Sequence, residues 1–388
     1  MTDSVSERSV DFYIKHNISP VSKDISDVEV HFQKRESLFR HLGIIPNFLK
    51  NKTVLEFGPG GGHNSIYTLS LLPARYVLVD GNPTGLESVG KLFAQYDNGT
   101  TQFELVESFI EQFSTSERFD FVICENVIPL QQNDPRNVLQ CVAEFVKPGG
   151  VLVVTCMDPV SFLADVLGQL AGELLVGPSM TVEEKLDVMR PFFQKNLDAL
   201  PGANTLVDDF MMDSVIQHYP KEGKMQSVSD TIDALAGDFE VYASSPNFMV
   251  DWRWYKSIHG GQTQYNQRAI EQYESNIHNM LDYRCISTAV TEEQSAEIRY
   301  LCDNVFEATK KFRIDRDLKY LEAIRADLSQ LAEIVSSYSQ KTADSLTDFI
   351  CGVDAFLESK PWPELNSFAA FFGRGTQYLS FIRKHSAA

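Results

Sequence analysis

Short apolar runs alternate with stretches of helical periodicity from about residue 50 to residue 156. The runs are rich in β-branched and aromatic residues and predict strands at 53–57, 76–79, 103–106, 119–124 and 151–156. Strands that are apolar on both faces and separated by helices are typical of a parallel sheet covered on both sides. The pattern therefore predicts an α/β fold.

The apolar pattern changes on both sides of this region. Residues 27–42 have the spacing of an amphipathic helix that precedes the first strand. After residue 156, a helix over 160–175 is followed by Thr181 and Glu184, which suit a capping box. This second helix is expected to end at Arg190, because Pro191 follows. Together these signals predict a helical insertion over 158–225, after the fifth strand.

Strand-like runs return at 239–244 and 249–255. We expect them to form an antiparallel hairpin that completes a mostly parallel sheet of seven strands with helices on both faces. The chain then divides into an N-terminal helical cap (1–50), a sheet domain (51–256) and a helical C-terminal region (257–388).

One helix of the C-terminal region carries an apolar seam, in which residues recur at intervals of three and four: Leu321, Ile324, Leu328, Leu331, Val335 and Tyr338. This spacing is that of a helix packed lengthwise on another helix. Two interpretations stay open, a helical hairpin packed on its own domain and the seam of a homodimer formed through the C-terminal helices.

Charge and cysteine content narrow the function classes. The 388 residues carry 34 Lys and Arg against 53 Asp and Glu, a formal net charge of −19. Such a surface repels polyphosphate and anionic lipid, so neither nucleic acid nor a membrane is expected as a partner. The six cysteines lie far apart without a Cys/His cluster, which predicts free thiols and no metal site. No leader-like start and no apolar run of about 18 residues is found, so we expect a cytoplasmic protein.

The sharpest local feature is the run from the first strand into a glycine-rich turn, with Gly58, Gly60 and Gly62. Glycines are needed where backbone approaches a ligand closely or takes a positive φ. Asp80 ends the second strand, where a carboxylate can accept both ribose hydroxyls of an adenosine. A dinucleotide site would need a small residue where His63 stands, and Glu56 would repel a pyrophosphate. A cofactor with an amino-acid tail suits this turn better.

These residues, in this order, resemble class I (Rossmann-like) S-adenosylmethionine-dependent methyltransferases. The family's first motif matches Glu56, Gly58, Gly60 and Gly62, and its ribose-binding acid matches Asp80. The polar residue that contacts adenine in the family falls at Glu107 or Ser108. Residues 119–126 and 146–152 resemble the fourth-strand motif and the turn into the fifth strand.

The resemblance implies methyl transfer from S-adenosyl-L-methionine, with S-adenosyl-L-homocysteine as product. We expect an O or N atom of a small molecule or glycan precursor as acceptor. The alternatives are a protein methyltransferase, an aminopropyltransferase-like enzyme and a non-catalytic S-adenosylmethionine-binding protein. An aminopropyltransferase would be expected to carry an Asp-rich site after the fourth strand, where this chain has Cys124, Glu125 and Asn126.

Candidate bases are Glu125, after the fourth strand, and His259, after the predicted last strand. Glu125 is equally a candidate to orient the methionine tail, and Arg35 of the first helix is a candidate partner for the cofactor carboxylate. The aromatic residues Trp252, Trp254, Tyr255 and Tyr265 suit sugar rings, aryl groups or a methylammonium group. Arg374, in a glycine-flanked turn, is a candidate to line the substrate cleft. The C-terminal region is expected to serve as a substrate lid or in oligomerisation.

Overall fold

A seven-stranded sheet organises the first part of the fold. The structure is a computed structural model and describes residues 9–16, 25–96, 99–128, 134–177, 179–203, 205–216 and 225–385. Its strands are β1 Thr53–Phe57, β2 Arg75–Asp80, β3 Gln102–Glu107, β4 Phe119–Cys124, β5 Val146–Cys156, β6 Phe239–Ser245 and β7 Gln377–Arg383. The strand order is β3-β2-β1-β4-β5-β7-β6. This confirms the predicted Rossmann-like fold.

Strands β1 to β5 pair in parallel, whereas β7 runs antiparallel to both β5 and β6. The carboxyl ends of β1 to β6 therefore lie at one edge of the sheet, together with the beginning of β7. The order reverses between β1 and β4, which is where ligands bind in open sheets of this type.

The prediction of a strand at 249–255 is wrong. No strand is formed there, and the antiparallel partner of β6 is β7, which pairs Phe239 with Arg383 and Ser245 with Tyr378. The predicted C-terminal helical region, 257–388, is accordingly not helical to its end. The run Gln377–Arg383 fills the slot between β5 and β6, and Leu379 and Phe381 are fully buried there.

Fourteen α-helices are found among the described residues: α1 Ser9–His16, α2 Val28–His41, α3 Ser65–Ser70, α4 Pro83–Tyr96, α5 Pro135–Glu144, α6 Leu163–Leu175, α7 Val182–Ala199, α8 Val207–Phe210, α9 Val228–Leu235, α10 Tyr265–Asn276, α11 Glu292–Asp315, α12 Lys319–Ser336, α13 Gln340–Leu357 and α14 Asn366–Ala369. A π-helical turn, Met211–Ile216, follows α8. None of the described helices is long and apolar enough to cross a membrane.

Helix α2 begins where the Asp27 side chain accepts a hydrogen bond from the Val30 N–H at 3.1 Å. Its Phe39 ring is fully buried and packs edge-on against Tyr67 of α3, with ring centroids 5.2 Å apart. Phe39 also lies near Phe121 of β4. This packing fixes α2 against one face of the sheet and sets the position of its Arg35.

The chain divides into two compact units. The first contains the described residues within 1–157, 219–273 and 376–388, and so holds the whole sheet. The second contains those within 158–218 and 274–375, whose described part has helices and no strand. Residues 178, 204 and 217–224 of the predicted insertion lie outside the described residues.

Helix α7 of the second unit starts at the predicted capping box, in which Thr181 and Glu184 bond each other's backbone N–H groups. The predicted end at Arg190 is wrong, because the helix continues past Pro191 to Ala199. Proline interrupts a helical hydrogen bond. Here the continued helix buries Phe193 in an apolar cluster with Met189, Met211 and Val215, which outweighs that loss.

The apolar seam on α12 is buried against other helices of the second unit. Leu321, Ile324, Leu328, Leu331 and Val335 are each fully buried, and α12 packs on both α11 and α13. Of the two interpretations, the structure shows packing within the domain. A homodimer through these helices would have to use their other faces.

Gly373 tests how tightly the second unit is packed. A Cβ added at this position would lie 1.9 Å from the Ser161 carbonyl oxygen. Because that neighbour is backbone, we expect Gly373→Ala to lower the free energy of unfolding by about 1–3 kcal/mol, as overpacking does. The measurement is urea denaturation followed by circular dichroism. Gly237→Ala is the control, since nothing lies within 4 Å of its added Cβ. Equal stability of the two variants would contradict this packing.

Candidate functional site

The glycine-rich turn leaves β1 at the point where the strand order reverses. Gly58, Gly60 and Gly62 have φ values of 69°, 53° and 82°, in the left-handed region that favours glycine. At Gly58 a Cβ would also lie 2.2 Å from Val127 Cγ2. The turn therefore requires glycine for its conformation and for its close approach to the loop after β4.

Asp80 at the end of β2 lies directly beside this turn. One carboxylate oxygen accepts the Gly60 N–H at 3.2 Å, and the other accepts the Asn82 N–H at 2.8 Å. Burial raises the pKa of Asp80 to about 6, while these backbone hydrogen bonds act in the opposite direction. The carboxylate is thus held at the carboxyl edge of the sheet, in direct contact with the backbone of the glycine turn.

Glu56, two residues before Gly58, is buried beneath the turn. Its carboxylate accepts a hydrogen bond from Ser65 Oγ at 2.9 Å and another from the Tyr76 hydroxyl. Burial raises the pKa of Glu56 to about 7, and the negative charge of Glu125 acts in the same direction. At neutral pH this buried carboxyl group is poised between its protonated and ionised forms.

Glu125 follows β4 and forms a buried ion pair with Arg35 of α2. The two carboxylate oxygens accept hydrogen bonds from the two terminal guanidinium nitrogens at 2.7 and 2.9 Å. Asn64 Nδ2 and the Tyr378 hydroxyl also donate to Glu125 Oε1, at 3.2 and 2.8 Å. Each side chain of the ion pair is only 7% exposed.

The ion pair shifts the pKa values of the groups around it. Although burial disfavours the charged guanidinium, the ion pair with Glu125 raises the pKa of Arg35 above its usual value. Burial, and then the charge of Glu125, raise the pKa of Tyr378, so that its hydroxyl stays protonated and donates. Arg35 Nε is buried and has no hydrogen-bond partner among the described residues. One guanidinium N–H therefore remains to be satisfied.

The remaining predicted site residues lie in different surroundings. Glu107, the last residue of β3, is exposed, and Ser108 is half-buried with its N–H donating to the Asp80 carbonyl. His259 lies on the exposed connection between β6 and α10. The structure thus brings Glu56, Asp80 and the glycines together, places Glu107 and Ser108 beside them, and leaves His259 on a separate loop.

Arg374 donates hydrogen bonds to main-chain carbonyls through both its backbone and its side chain. Its backbone N–H donates to the Met280 carbonyl at 2.9 Å. Its guanidinium donates to the carbonyls of Asp282 and Cys285, at 3.0 and 3.1 Å. These contacts anchor the glycine-flanked turn within the second unit.

Sequence reasoning did not find four of the partners of Glu56 and Glu125, namely Asn64, Ser65, Tyr76 and Tyr378. A signal for Tyr378 was available, because the run 377–383 contains Tyr378, Leu379, Phe381 and Ile382, the apolar and aromatic residue types that strands favour. For Asn64 and Tyr76 no local signal exists, because the role of each depends on a contact with a residue that is distant in the sequence.

Comparison with known proteins supports a family for part of the chain. Residues 32–182, or 151 of the 388 residues, match the family described as methyltransferase domain. This span contains β1 to β5 and every cofactor candidate named above. No curated protein sequence matches the chain.

Several solved methyltransferase structures are similar to parts of the chain. PKMT2 from Rickettsia typhi in complex with AdoHcy is 17% identical, with 63% of this chain and 50% of that chain covered and a TM-score of 0.42. The N-methyltransferase NodS from Bradyrhizobium japonicum WM9, in complex with S-adenosyl-L-homocysteine, is 18% identical over 33% and 62%, with a TM-score of 0.27. The CcbJ methyltransferase from Streptomyces caelestis is 21% identical over 33% and 50%, with a TM-score of 0.28. The chain thus covers less than two thirds of each, and the strand order rather than these similarities identifies the fold.

The ion pair of Arg35 and Glu125 should dominate local stability. Arg35→Met leaves a buried, unpaired carboxylate, and we expect a loss of about 3–5 kcal/mol in the free energy of unfolding. Arg35→Met combined with Glu125→Gln should recover a large part of this loss, because the unpaired charge is gone. Chemical denaturation measures both. Arg40→Met on the same helix, which breaks an exposed pair with Glu36, should change stability by less than about 1 kcal/mol. A double variant no more stable than Arg35→Met would refute this account.

Glu56 should make stability depend on pH. Its pKa of about 7 lies above its usual value of 4.5, so between these values the folded protein holds a proton that the unfolded chain has released. Stability therefore falls as pH rises from about 5 to 7 and levels off above it, by up to about 3 kcal/mol from this group. The pKa of Asp80 is also raised, so this group too makes stability fall as the pH rises. Denaturation midpoints from pH 5 to 8 should show a flatter profile for Glu56→Gln than for the wild type. Parallel profiles would show that Glu56 ionises normally.

Proposed function

We propose that this protein, whose residues 32–182 match a methyltransferase domain and whose sheet has the Rossmann-like strand order, transfers a methyl group from S-adenosyl-L-methionine to an O or N atom of a small molecule or glycan precursor. The observation that carries the proposal is the placement of the glycine turn against the Asp80 carboxylate, at the point where the strand order reverses. This arrangement is the one that an adenosine-containing ligand requires.

The residues present fit the cofactor along its length. The positive-φ turn of Gly58, Gly60 and Gly62 allows backbone to approach the ligand without side chains between them. Asp80 would accept the ribose hydroxyls, and Glu107 or Ser108 would contact the adenine. At the amino-acid end, Glu56 would attract the ammonium group, and the unsatisfied Nε of Arg35 would donate to the carboxylate.

S-adenosyl-L-methionine supplies an electrophilic methyl group on a sulfonium when it is bound. The contribution of the protein is then to hold an acceptor atom in line with that group and to exclude water. The carboxyl edge of the sheet provides the rigid frame for this alignment, because Glu56 near the end of β1, Asp80 at the end of β2 and Glu125 just after β4 are held there.

Glu125 is better suited to positioning than to proton abstraction. Its oxygens already accept four hydrogen bonds, two of them from a guanidinium. A carboxylate stabilised in this way is a weak base. We propose that Glu125 positions Arg35 and Tyr378 around the methyl-transfer site, and that His259, on its exposed loop, remains the candidate base for an acceptor that must lose a proton.

Asp80 provides the direct test of the cofactor site. Asp80→Asn removes the charge that strengthens hydrogen bonds to the ribose hydroxyls, each worth about 1.5–3 kcal/mol for a charged acceptor. We expect the affinity for S-adenosyl-L-homocysteine, measured by calorimetry, to fall at least tenfold. Turnover of S-adenosyl-L-methionine with a panel of hydroxyl and amine acceptors, followed by mass spectrometry, should fall with it.

Glu87→Gln is the control for this variant, because Glu87 lies exposed on α4 and pairs with Lys91 along the helix surface. It should bind S-adenosyl-L-homocysteine as the wild type does. Wild-type affinity in a folded Asp80→Asn protein would remove Asp80 from the site. Failure of the wild type to bind S-adenosyl-L-homocysteine at all would contradict the proposed function.

A further inference from the structure

The residue after Glu125 presents an exposed amide from a constrained backbone. Asn126 is exposed, whereas every other residue of 119–128 is buried or half-buried. Its φ is 58°, in the left-handed region that residues other than glycine seldom adopt. Asparagine tolerates this conformation better than most residues, yet the strain persists only where neighbouring contacts hold it in place. Such positions are common in functional sites, so the contacts of Asn126 need an explanation.

Contacts on both sides of Asn126 fix its position. Its N–H donates to Thr155 Oγ1 of β5 at 2.8 Å. Glu125, which precedes it, is held in the buried ion pair. Val127, which follows it, packs so closely on the glycine turn that a Cβ added at Gly58 would lie 2.2 Å from Val127 Cγ2. The amide is thus attached directly to the frame of the proposed cofactor site.

Asn126 lies where the cofactor residues give way to the other half of the sheet. The glycine turn and the acids Glu56 and Asp80 belong to β1 and β2. These strands lie on one side of β4 in the strand order, whereas β5 and β7 lie on the other side. The hydrogen bond to Thr155 connects Asn126 to that second side. An acceptor must reach the methyl group from a direction that the cofactor does not occupy, and this side of β4 provides one.

Tyr378 determines which end of the amide faces outward. Tyr378 of β7 is the residue paired with Thr155 of β5, so it lies beside Asn126. Burial, and then the charge of Glu125, raise the pKa of Tyr378, whereas the side chain of Asn126 acts to lower it. Only a hydrogen-bond donor lowers the pKa of a phenol, so the amide N–H of Asn126 faces the phenolic oxygen. The amide oxygen, Oδ1, is therefore the end that is left for a ligand.

These contacts form a chain of polar groups from the buried ion pair to the surface. Arg35 donates to Glu125, and Tyr378 donates to the same carboxylate at 2.8 Å. Because an ionised carboxylate only accepts, the phenolic proton is committed to it, and the phenolic oxygen is left to accept from Asn126. The outer end of the chain is then a hydrogen-bond acceptor. Such a group recognises an N–H or O–H and discriminates strongly against an analogue that lacks one.

We infer that Asn126 is an acceptor-binding residue of the methyl-transfer site, and that its Oδ1 accepts a hydrogen bond from the reacting atom, an amine nitrogen or hydroxyl oxygen that still carries a hydrogen. The inference rests on the proposed function and narrows its acceptor class, because a tertiary amine has no hydrogen to donate. While Asn126 holds the hydrogen, a lone pair of the reacting atom forms the new bond to the methyl carbon. The electron pair of the broken carbon–sulfur bond stays on sulfur, and the methylated atom then releases its proton to water.

The test compares two cofactor analogues by calorimetry and needs no acceptor. S-adenosyl-L-homocysteine has a bare thioether at the reacting position, whereas sinefungin has a carbon that carries an amine there. This amine takes the place of the methyl group and can donate a hydrogen bond to Asn126 Oδ1. We expect the wild type to bind sinefungin more tightly than S-adenosyl-L-homocysteine by about tenfold, as a hydrogen bond to a charged group would give.

Asn126→Gly removes the amide and suits the left-handed backbone, so that it adds no strain. We expect this variant to lose the preference for sinefungin and to bind S-adenosyl-L-homocysteine as the wild type does. Asn51→Gly is the matched control. Asn51 is also exposed and left-handed, with a φ of 61°, but it precedes β1 at the opposite edge of the sheet. Its variant should keep the preference.

Three outcomes overturn the inference. They are equal affinity of the wild type for the two analogues, a preference that survives in Asn126→Gly, and a preference that Asn51→Gly loses as well. Failure of the wild type to bind S-adenosyl-L-homocysteine would instead contradict the proposed function, whatever the affinity for sinefungin.

Discussion

The arrangement of the site depends on the buried ion pair between Arg35 and Glu125. Removing two charges from water is costly, and such a pair is tolerated only when the geometry is good and the remaining polar atoms are satisfied. Here the pairing uses both carboxylate oxygens, and Asn64 and Tyr378 donate two further hydrogen bonds to Glu125. Four distant segments of the chain are therefore required at one point. Helix α2, the start of α3, the end of β4 and the start of β7 meet there.

This convergence also explains the electrostatics of the neighbouring carboxylates. Glu56 and Asp80 lie in the same water-poor edge of the sheet, and burial raises the pKa of both groups toward neutrality. Perturbed acids that cluster around a concave backbone are typical of functional sites. A cationic cofactor would reverse part of this effect, because a positive charge nearby favours the ionised carboxylate.

The sheet is completed only after the chain has formed the second unit. It leaves the first unit after β5, returns for β6, leaves again through α10, and comes back for β7. Tyr378, the second residue of that last strand, supplies the hydroxyl that reaches Glu125.

Local sequence determined the five parallel strands, helix α2, the capping box of α7 and the glycine turn with its acid on β2. Each of these features depends on the spacing of apolar residues or on turn residues within a short stretch, so it can be predicted from the local sequence. Tertiary structure decided the partner of β6, because the runs at 249–255 and 377–383 both look like strands and only packing against β5 distinguishes them. It also decided that Pro191 stays inside a helix and that Arg35 is buried against Glu125 rather than solvated. These outcomes depend on contacts between residues that are tens to hundreds of positions apart, and local periodicity contains no information about such contacts.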